Sequence, residues 1–250
     1  MHLLTMRRFI VGIVSVLALV SCAGKQEHSI ELKSEADLSG LRVATLAGSC
    51  YDMELSARED ISLQLFNLDS DVLQALVNNK ADVAVEDEVV YNAEVRKENG
   101  VKVALLGDQA FPTAIMFRKE DTVLAQTLSA VQRRMEEDGS MQRLKDFWLT
   151  DRFAQEKNYT HIPDETGGTP IRVASASDSA PISFMMDGEW YGIEIDLLRE
   201  LGKELHRPLE IKHYDSSSMM LALRSGLVDA LCGCIFVTHD REEEFQFADS

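Results

Sequence analysis

The chain has 250 residues, 45% of them hydrophobic and 27% charged, which is enough to bury a core and to build two compact units. Its net charge of −17 excludes a nucleic-acid partner, because no run of Lys or Arg could neutralise a row of phosphates. The acidity speaks for solubility rather than for a mechanism.

Arg7 and Arg8 precede the apolar run Phe9–Val20, and small residues lead to Cys22. A basic start, an apolar stretch of 12 residues and a small-residue end predict a secretory signal peptide over 1–22. Twelve residues fall short of the roughly 20 that cross a bilayer as a helix. "LVSC" resembles the lipobox of bacterial lipoproteins, so the lipidation of Cys22 is expected, with a polar tether over 23–37. Cys50, Cys232 and Cys234 then remain, an odd and sparse set that makes no disulfide framework. In "CGC" the thiols alternate along an apparent strand and are expected on one side. A metal site there would lack clear third and fourth ligands, His239 aside, so buried small hydrophobes are the expected role and no metal or cofactor is predicted.

"LRVATLA" (41–47), "ISLQLFN" (61–67), "ADVAVE" (81–86) and "VKVALL" (101–106) predict buried strands. Val72, Leu73, Leu76 and Val77 form one helical stripe between the second and third. "DEVVYNAEVRKENG" predicts a further helix, closed by Gly100. Strands alternating with helices imply an α/β lobe with a largely parallel sheet. Residues 122–149 are helical except at "DGS" (138–140), and 150–169 lose all periodicity and read as a linker. A second α/β pattern starts at "IRVASAS", with a helix over 193–205 whose stripe is Ile193, Leu197, Leu198, Leu201 and Leu205, and "LEIKHY" follows as a strand. The expected domains are 38–149 and 170–250.

The chain also repeats itself. "LQALVNNKADVAV" (73–85) aligns with "MLALRSGLVDALC" (220–232) at an offset of 147, and "LRVA" (41–44) resembles "IRVA" (171–174). Asn79 falls on Gly226, two residues suited to a left-handed helix end. Asp82 falls on Asp229, and both are expected to be turn residues.

On these segments the chain resembles the family 3 extracellular solute-binding proteins, the periplasmic components of polar amino-acid uptake. The resemblance implies two Rossmann-like lobes of a type II periplasmic-binding-protein fold, closing on a ligand like a clamshell. "LSGLRVATLAGSCYD", "ADVAVEDEVV", "PTAIMFRKED" and "EEDGSMQRLKDFW" resemble the second lobe with its final helices. "APISF", "GEWYGIEIDLL" and "VTHDREEEFQFADS" resemble the first, so lobe two precedes lobe one. That order is expected of an incomplete chain, with circular permutation as the alternative.

The resemblance also implies a site. Thr238-x-x-Arg241 matches the family's "T-x-x-R" element, whose arginine grips a ligand carboxylate by a planar fork of donors. Pairing of Arg241 with Glu244 on a solvated helix is the competing reading. Asp87 matches the ammonium-binding aspartate, with helix N-capping as a compatible role, and Glu86 and Glu88 are expected to be exposed. Ser49 and Cys50 fall in the family's "Q-G-T-T" turn, Tyr51 stands where a polar residue is common, and Phe184 belongs to the ligand-contacting "APISF". Phe236, Ser179 and Ala176 depart from the hydroxyl, aromatic and acidic residues usual at their places, pointing to a more apolar amino acid, a small peptide or another zwitterion. The implied partners are that ligand, an ABC transporter permease and, through a lipid anchor, the membrane. A sensor module and the front part of a membrane-bound lytic transglycosylase are the alternatives, and the absence of a convincing nucleophile–base pair argues against an enzyme.

Overall fold

In the computed structural model, Arg42–Leu46 (β2) forms a strand whose middle residues, Val43, Ala44 and Thr45, are all buried, as a strand covered on both faces requires. The structure describes residues 5–13, 30, 32–87, 101–150, 162–176 and 178–249, so the helix expected after Asp87, Glu88 and Cys22 all lie outside the described residues. The chain divides into two compact units, Met6–Ala110 and Phe111–Ser250, the latter joined by Met1–Thr5.

The first unit holds β1 (Thr5–Ile13), β2, α1 (Cys50–Leu55), β3 (Ser62–Phe66), α2 (Asp69–Val77), β4 (Val83–Asp87) and β5 (Val101–Pro112). Its sheet has the order β3-β2-β4-β1-β5, with β2 parallel to β3 and β4 and β1 antiparallel to β4. Val72, Ala75 and Leu76 of α2 pack on Ala44, Ala81 and Ala84. Residues 5–13, which the sequence assigns to a signal peptide, form a strand here, with Arg8–Gly12 pairing antiparallel with Val83–Asp87 of β4.

The second unit holds β6 (Met116–Arg118), α3 (Thr122–Glu137), α4 (Ser140–Trp148), β7 (Ile171–Ser175), β8 (Asp178–Ser179), β9 (Ser183–Met186), β10 (Glu189–Tyr191), α5 (Ile193–Leu205), β11 (Leu209–His213), α6 (Ser216–Arg224), β12 (Ala230–Cys232), α7 (His239–Glu244) and β13 (Phe245–Phe247). Its main sheet runs β11-β7-β12-β6-β13, with β7 parallel to β11 and β12 and β6 antiparallel to β12 and β13. One core joins α3 and α5 to this sheet through Phe117, Leu128, Val131, Ile195 and Leu198, and another joins α6 through Met219 and Leu223. Helix α5 can start where it does because Gly192, at φ +124°, has no Cβ to strike the Ile182 carbonyl 2.2 Å away.

The two sheets share one plan: second, first and third parallel strands, an antiparallel insert, and a last strand. The repeat read from sequence is therefore structural, and Asn79 (φ 55°) and Gly226 (φ 71°) close α2 and α6 in the left-handed conformation. The domain boundary differs from the expected 150–169. It falls between Ala110 and Phe111, because β6 inserts between β12 and β13 and α3 packs on α5. The "CGC" expectation is also corrected. Gly233 and Cys234 both have positive φ, so β12 ends at Cys232, which is buried, while Cys234 is half-buried beyond the turn.

Asp229 is the ionic joint of the second unit. It accepts from Arg172 at Nε (3.0 Å), Nη2 (2.6 Å) and the backbone N–H (2.9 Å), and from Arg118 Nη2 (3.0 Å). Burial pushes this carboxyl up, but these hydrogen bonds outweigh it and hold Asp229 at about 2. A carboxyl depressed in the fold stabilises it above the unfolded value near 3.8 and loses that contribution as pH falls toward 2. Asp229→Ala is expected to cost the unit about 2–4 kcal/mol at neutral pH, with the difference shrinking in that acid window. Both tryptophans, Trp148 and Trp190, lie in this unit, so urea unfolding followed by tryptophan fluorescence reads it directly.

Candidate functional site

Ser49 caps α1, its hydroxyl accepting the Asp52 N–H at 3.1 Å, and this turns the chain sharply after β2. Cys50 becomes the first helical residue, half-buried and in no disulfide. Tyr51 follows and points inward, 3% exposed, to donate its phenol O–H to Asp87 Oδ1. Asp87 closes β4 and is itself buried. Burial raises its carboxyl to about 7, and the Tyr51 hydrogen bond works in the opposite direction. Glu86 is buried beside it rather than exposed, which corrects the sequence expectation: β4 is buried along its whole length.

A similar local device occurs in the second unit. Thr238 caps α7 by accepting the Arg241 N–H at 3.4 Å, and Arg241 Nη1 donates to the Phe236 carbonyl at 3.0 Å. Glu244, named with neighbouring acids as a partner of Arg241 in the competing reading, is gripped by two guanidinium nitrogens of Arg224, Nε and Nη2. Phe184 is 6% exposed, stacked on Tyr191 with centroids 5.9 Å apart and edge-on to Trp148 at 5.9 Å, so packing sets its place. The structure thus gathers Ser49, Cys50, Tyr51 and Asp87 in one unit and Phe184, Thr238 and Arg241 in the other.

Sequence reasoning missed two buried acids on α5. Glu194 Oε2 accepts the Gly233 N–H at 2.6 Å and, with the Cys234 N–H, fixes the left-handed turn that leads to Thr238. Burial raises it to about 7 against these two N–H groups. Asp196 accepts from Trp148 Nε1 at 2.9 Å and from Arg199 Nη1 at 3.3 Å, tying α4 to α5. Helical periodicity puts Asp196 opposite the apolar stripe, whereas Glu194, four residues before Leu198 and seven before Leu201, falls within it. The signal available in sequence is that each sits between apolar residues, in "IEIDLL", on a helix buried along its whole first half. Cys232 lies under the same turn, its thiol raised to about 12 first by burial and then by Glu194, so it is an inert group.

Residues 171–250 match the bacterial extracellular solute-binding proteins of family 3. A probable histidine-binding protein of Neisseria gonorrhoeae is 31% identical over 88 residues, 35% of this chain and 33% of that protein. A probable ABC transporter extracellular-binding protein of Bacillus subtilis, YckB, is 42% identical over 57 residues, 23% of this chain and 20% of its own length. The arginine-binding extracellular protein ArtP of the same organism is 26% identical over 125 residues, 48% of this chain and 49% of that one. The chain therefore spans between a fifth and a half of these relatives. Among solved structures, a mutant of ArgBP from T. maritima aligns at 23% identity over 60% of each chain with a TM-score of 0.49.

A carboxyl raised in the fold favours folding below its unfolded value, here 4.5, and that contribution is lost as pH rises through about 7. Glu194→Gln is accordingly expected to flatten the stability profile of the second unit between pH 4.5 and 7. Urea midpoints across that range check it, and a variant profile as steep as the parent's would contradict the assignment.

Proposed function

We propose, from the match of residues 171–250 to the extracellular solute-binding proteins of family 3, that this chain is a non-catalytic receptor for a small zwitterion, an amino acid or a close analogue, serving an ABC-type uptake system. The observation that carries the reading is the "T-x-x-R" element inside the matched segment, folded as a capped turn with Arg241 in its first helical turn. A guanidinium there suits a carboxylate because its fork donates two parallel hydrogen bonds. Asp87 supplies the opposite charge for an ammonium, and the Ser49 and Thr238 hydroxyls, with the Cys50 thiol as a weaker donor, are the proposed auxiliary contacts. Phe184 is the proposed apolar contact within the second unit.

The same reading puts the protein outside the cytoplasmic membrane, in the periplasm, held by a lipid on Cys22 after removal of residues 1–21. Diacylation with N-acylation supplies more than one chain, which stable anchoring needs. Processing would also take β1 from the sheet of the first unit, since β1 lies within the leader. Labelling cells with a fatty-acid analogue is expected to mark the parent and to leave Cys22→Ser unmarked; label persisting on the variant rules the anchor out.

Calorimetry of the full chain against amino acids and dipeptides tests the binding reading. A ligand is expected, and Arg241→Ala and Asp87→Ala are each expected to weaken it by about 2–5 kcal/mol, because each leaves a ligand charge without its partner. Parent-like affinity in both variants would return Arg241 and Asp87 to structural roles.

A further inference from the structure

Tyr51, beside Ser49 and Cys50 in the turn after β2, has no part in the binding reading. It stands second in α1, is 3% exposed, and reaches from the helix to the end of β4. The register around it is firm: β2 and β4 pair in parallel at Val43–Val83 and Ala44–Ala84, and Thr45 Oγ1 donates to the Val85 carbonyl at 2.9 Å. These contacts fix the carboxyl end of β4 relative to α1. The phenol of Tyr51 is the sole hydrogen-bond partner of the Asp87 carboxyl among the described residues, and it engages Oδ1 alone.

We propose that Tyr51 is a positioning residue for cation recognition: its phenol holds Asp87 as an oriented carboxylate through Oδ1 and leaves Oδ2 to accept from a ligand ammonium. The physical need is plain. A buried carboxyl with no donor takes up a proton, and a neutral acid has no charge with which to hold an ammonium. A donor that stays protonated supplies the missing stabilisation of the ion. Tyr51 is such a donor, since burial and then the Asp87 charge push its own ionisation far above the usual range. Cys50 on α1 and Glu86 on β4 are the other titratable groups that act on the phenol. For Asp87 itself, burial and the phenol are the acting causes, while Arg8 of β1 is its partner in strand register. Ser or Thr at this place would not span the distance from helix to strand. Tyrosine does, with a ring that also fills the interior.

The ligand half of this inference rests on Asp87 as the ammonium site; the carboxylate half does not. The carboxyl carbon signal of Asp87, followed by NMR titration of the full chain, tests the latter without any ligand. The parent is expected to titrate near neutrality and Tyr51→Phe at higher pH, with Glu194 unmoved. Uniform 3-fluorotyrosine, whose phenol is a stronger donor, is expected to shift Asp87 the opposite way and needs no substitution. An Asp87 titration unchanged by both overturns the proposal. Calorimetry then compares an amino acid with the same acid lacking its amino group. The parent's preference for the amino acid is expected to fall roughly tenfold or more in Tyr51→Phe and to be unaffected by Tyr51→Phe in an Asp87→Asn background. Equal weakening of both compounds would reduce Tyr51 to a packing residue. A parent that binds no amino acid defeats the receptor reading, and the titration still decides the Tyr51–Asp87 pair.

Discussion

The sheet of the second unit depends on a single carboxylate, Asp229, through which three strands are joined. Arg172 at the start of β7 meets it with side chain and backbone, Arg118 at the end of β6 adds a third arm, and Asp229 itself precedes β12. Arg118 also donates to the Val228 carbonyl, so β6 is held at the neighbouring residue as well. The separation in sequence is what makes this important: Arg118 and Asp229 are 111 residues apart, and the antiparallel insert has no short connection to keep it in place. In the first unit Asp82 repeats the arrangement with Arg42, at 3.0 Å to Nε, 2.6 Å to Nη2 and 2.8 Å to the backbone N–H. There the clamp has two strands to join rather than three, and its Asp82 side chain is 25% exposed against 10% for Asp229, so solvent screens the pair more.

Local pattern made most of the elements legible. The helix over 193–205, the break at 138–140 and the strands of the repeat all follow from periodicity and turn chemistry, which act within a few residues. The repeat was legible too, because two copies of a strand, a helix and a left-handed closing residue leave the same spacing twice. What sequence could not place was β6. Three residues that pair with β12 and β13 carry no local sign of their partners, and the aperiodic stretch after Leu149 is the more conspicuous place for a boundary.

Buried acids were illegible for a related reason. A glutamate or aspartate on a helix is normally a solvated group, and its desolvation is severe unless donors await it. Donors do await these three: backbone N–H groups for Glu194, an indole and a guanidinium for Asp196, and a phenol for Asp87. All of these donors but Arg199, which lies three residues after Asp196, come from distant segments, so the sequence around each acid says little of them. Two of these acids, Glu194 and Asp87, also join elements that carry the proposed site. Glu194 fixes the turn before Thr238, and Asp87 ties β4 to α1.

Capping and recognition are compatible at this site for a reason that lies in the hydroxyl group. Ser49 and Thr238 use an oxygen lone pair to accept a backbone N–H, which leaves the O–H proton of each still to be donated. A ligand carboxylate asks for donors, so a residue that is fully used as a cap has not given up the capacity that a carboxylate needs. The same is untrue of a carboxylate that both caps and binds cations, because there two donors compete for lone pairs and charge. Asp87 avoids that conflict by dividing its oxygens, Oδ1 to Tyr51 and Oδ2 to the ligand in the reading above. Cys50, in the position after the Ser49 cap, offers only a weak S–H donor. Under the proposed reading, the first unit's discrimination would fall on the charge and orientation of one buried carboxylate rather than on a row of hydroxyls. That suits a ligand selected for its charged ends and not for polar groups along its side chain.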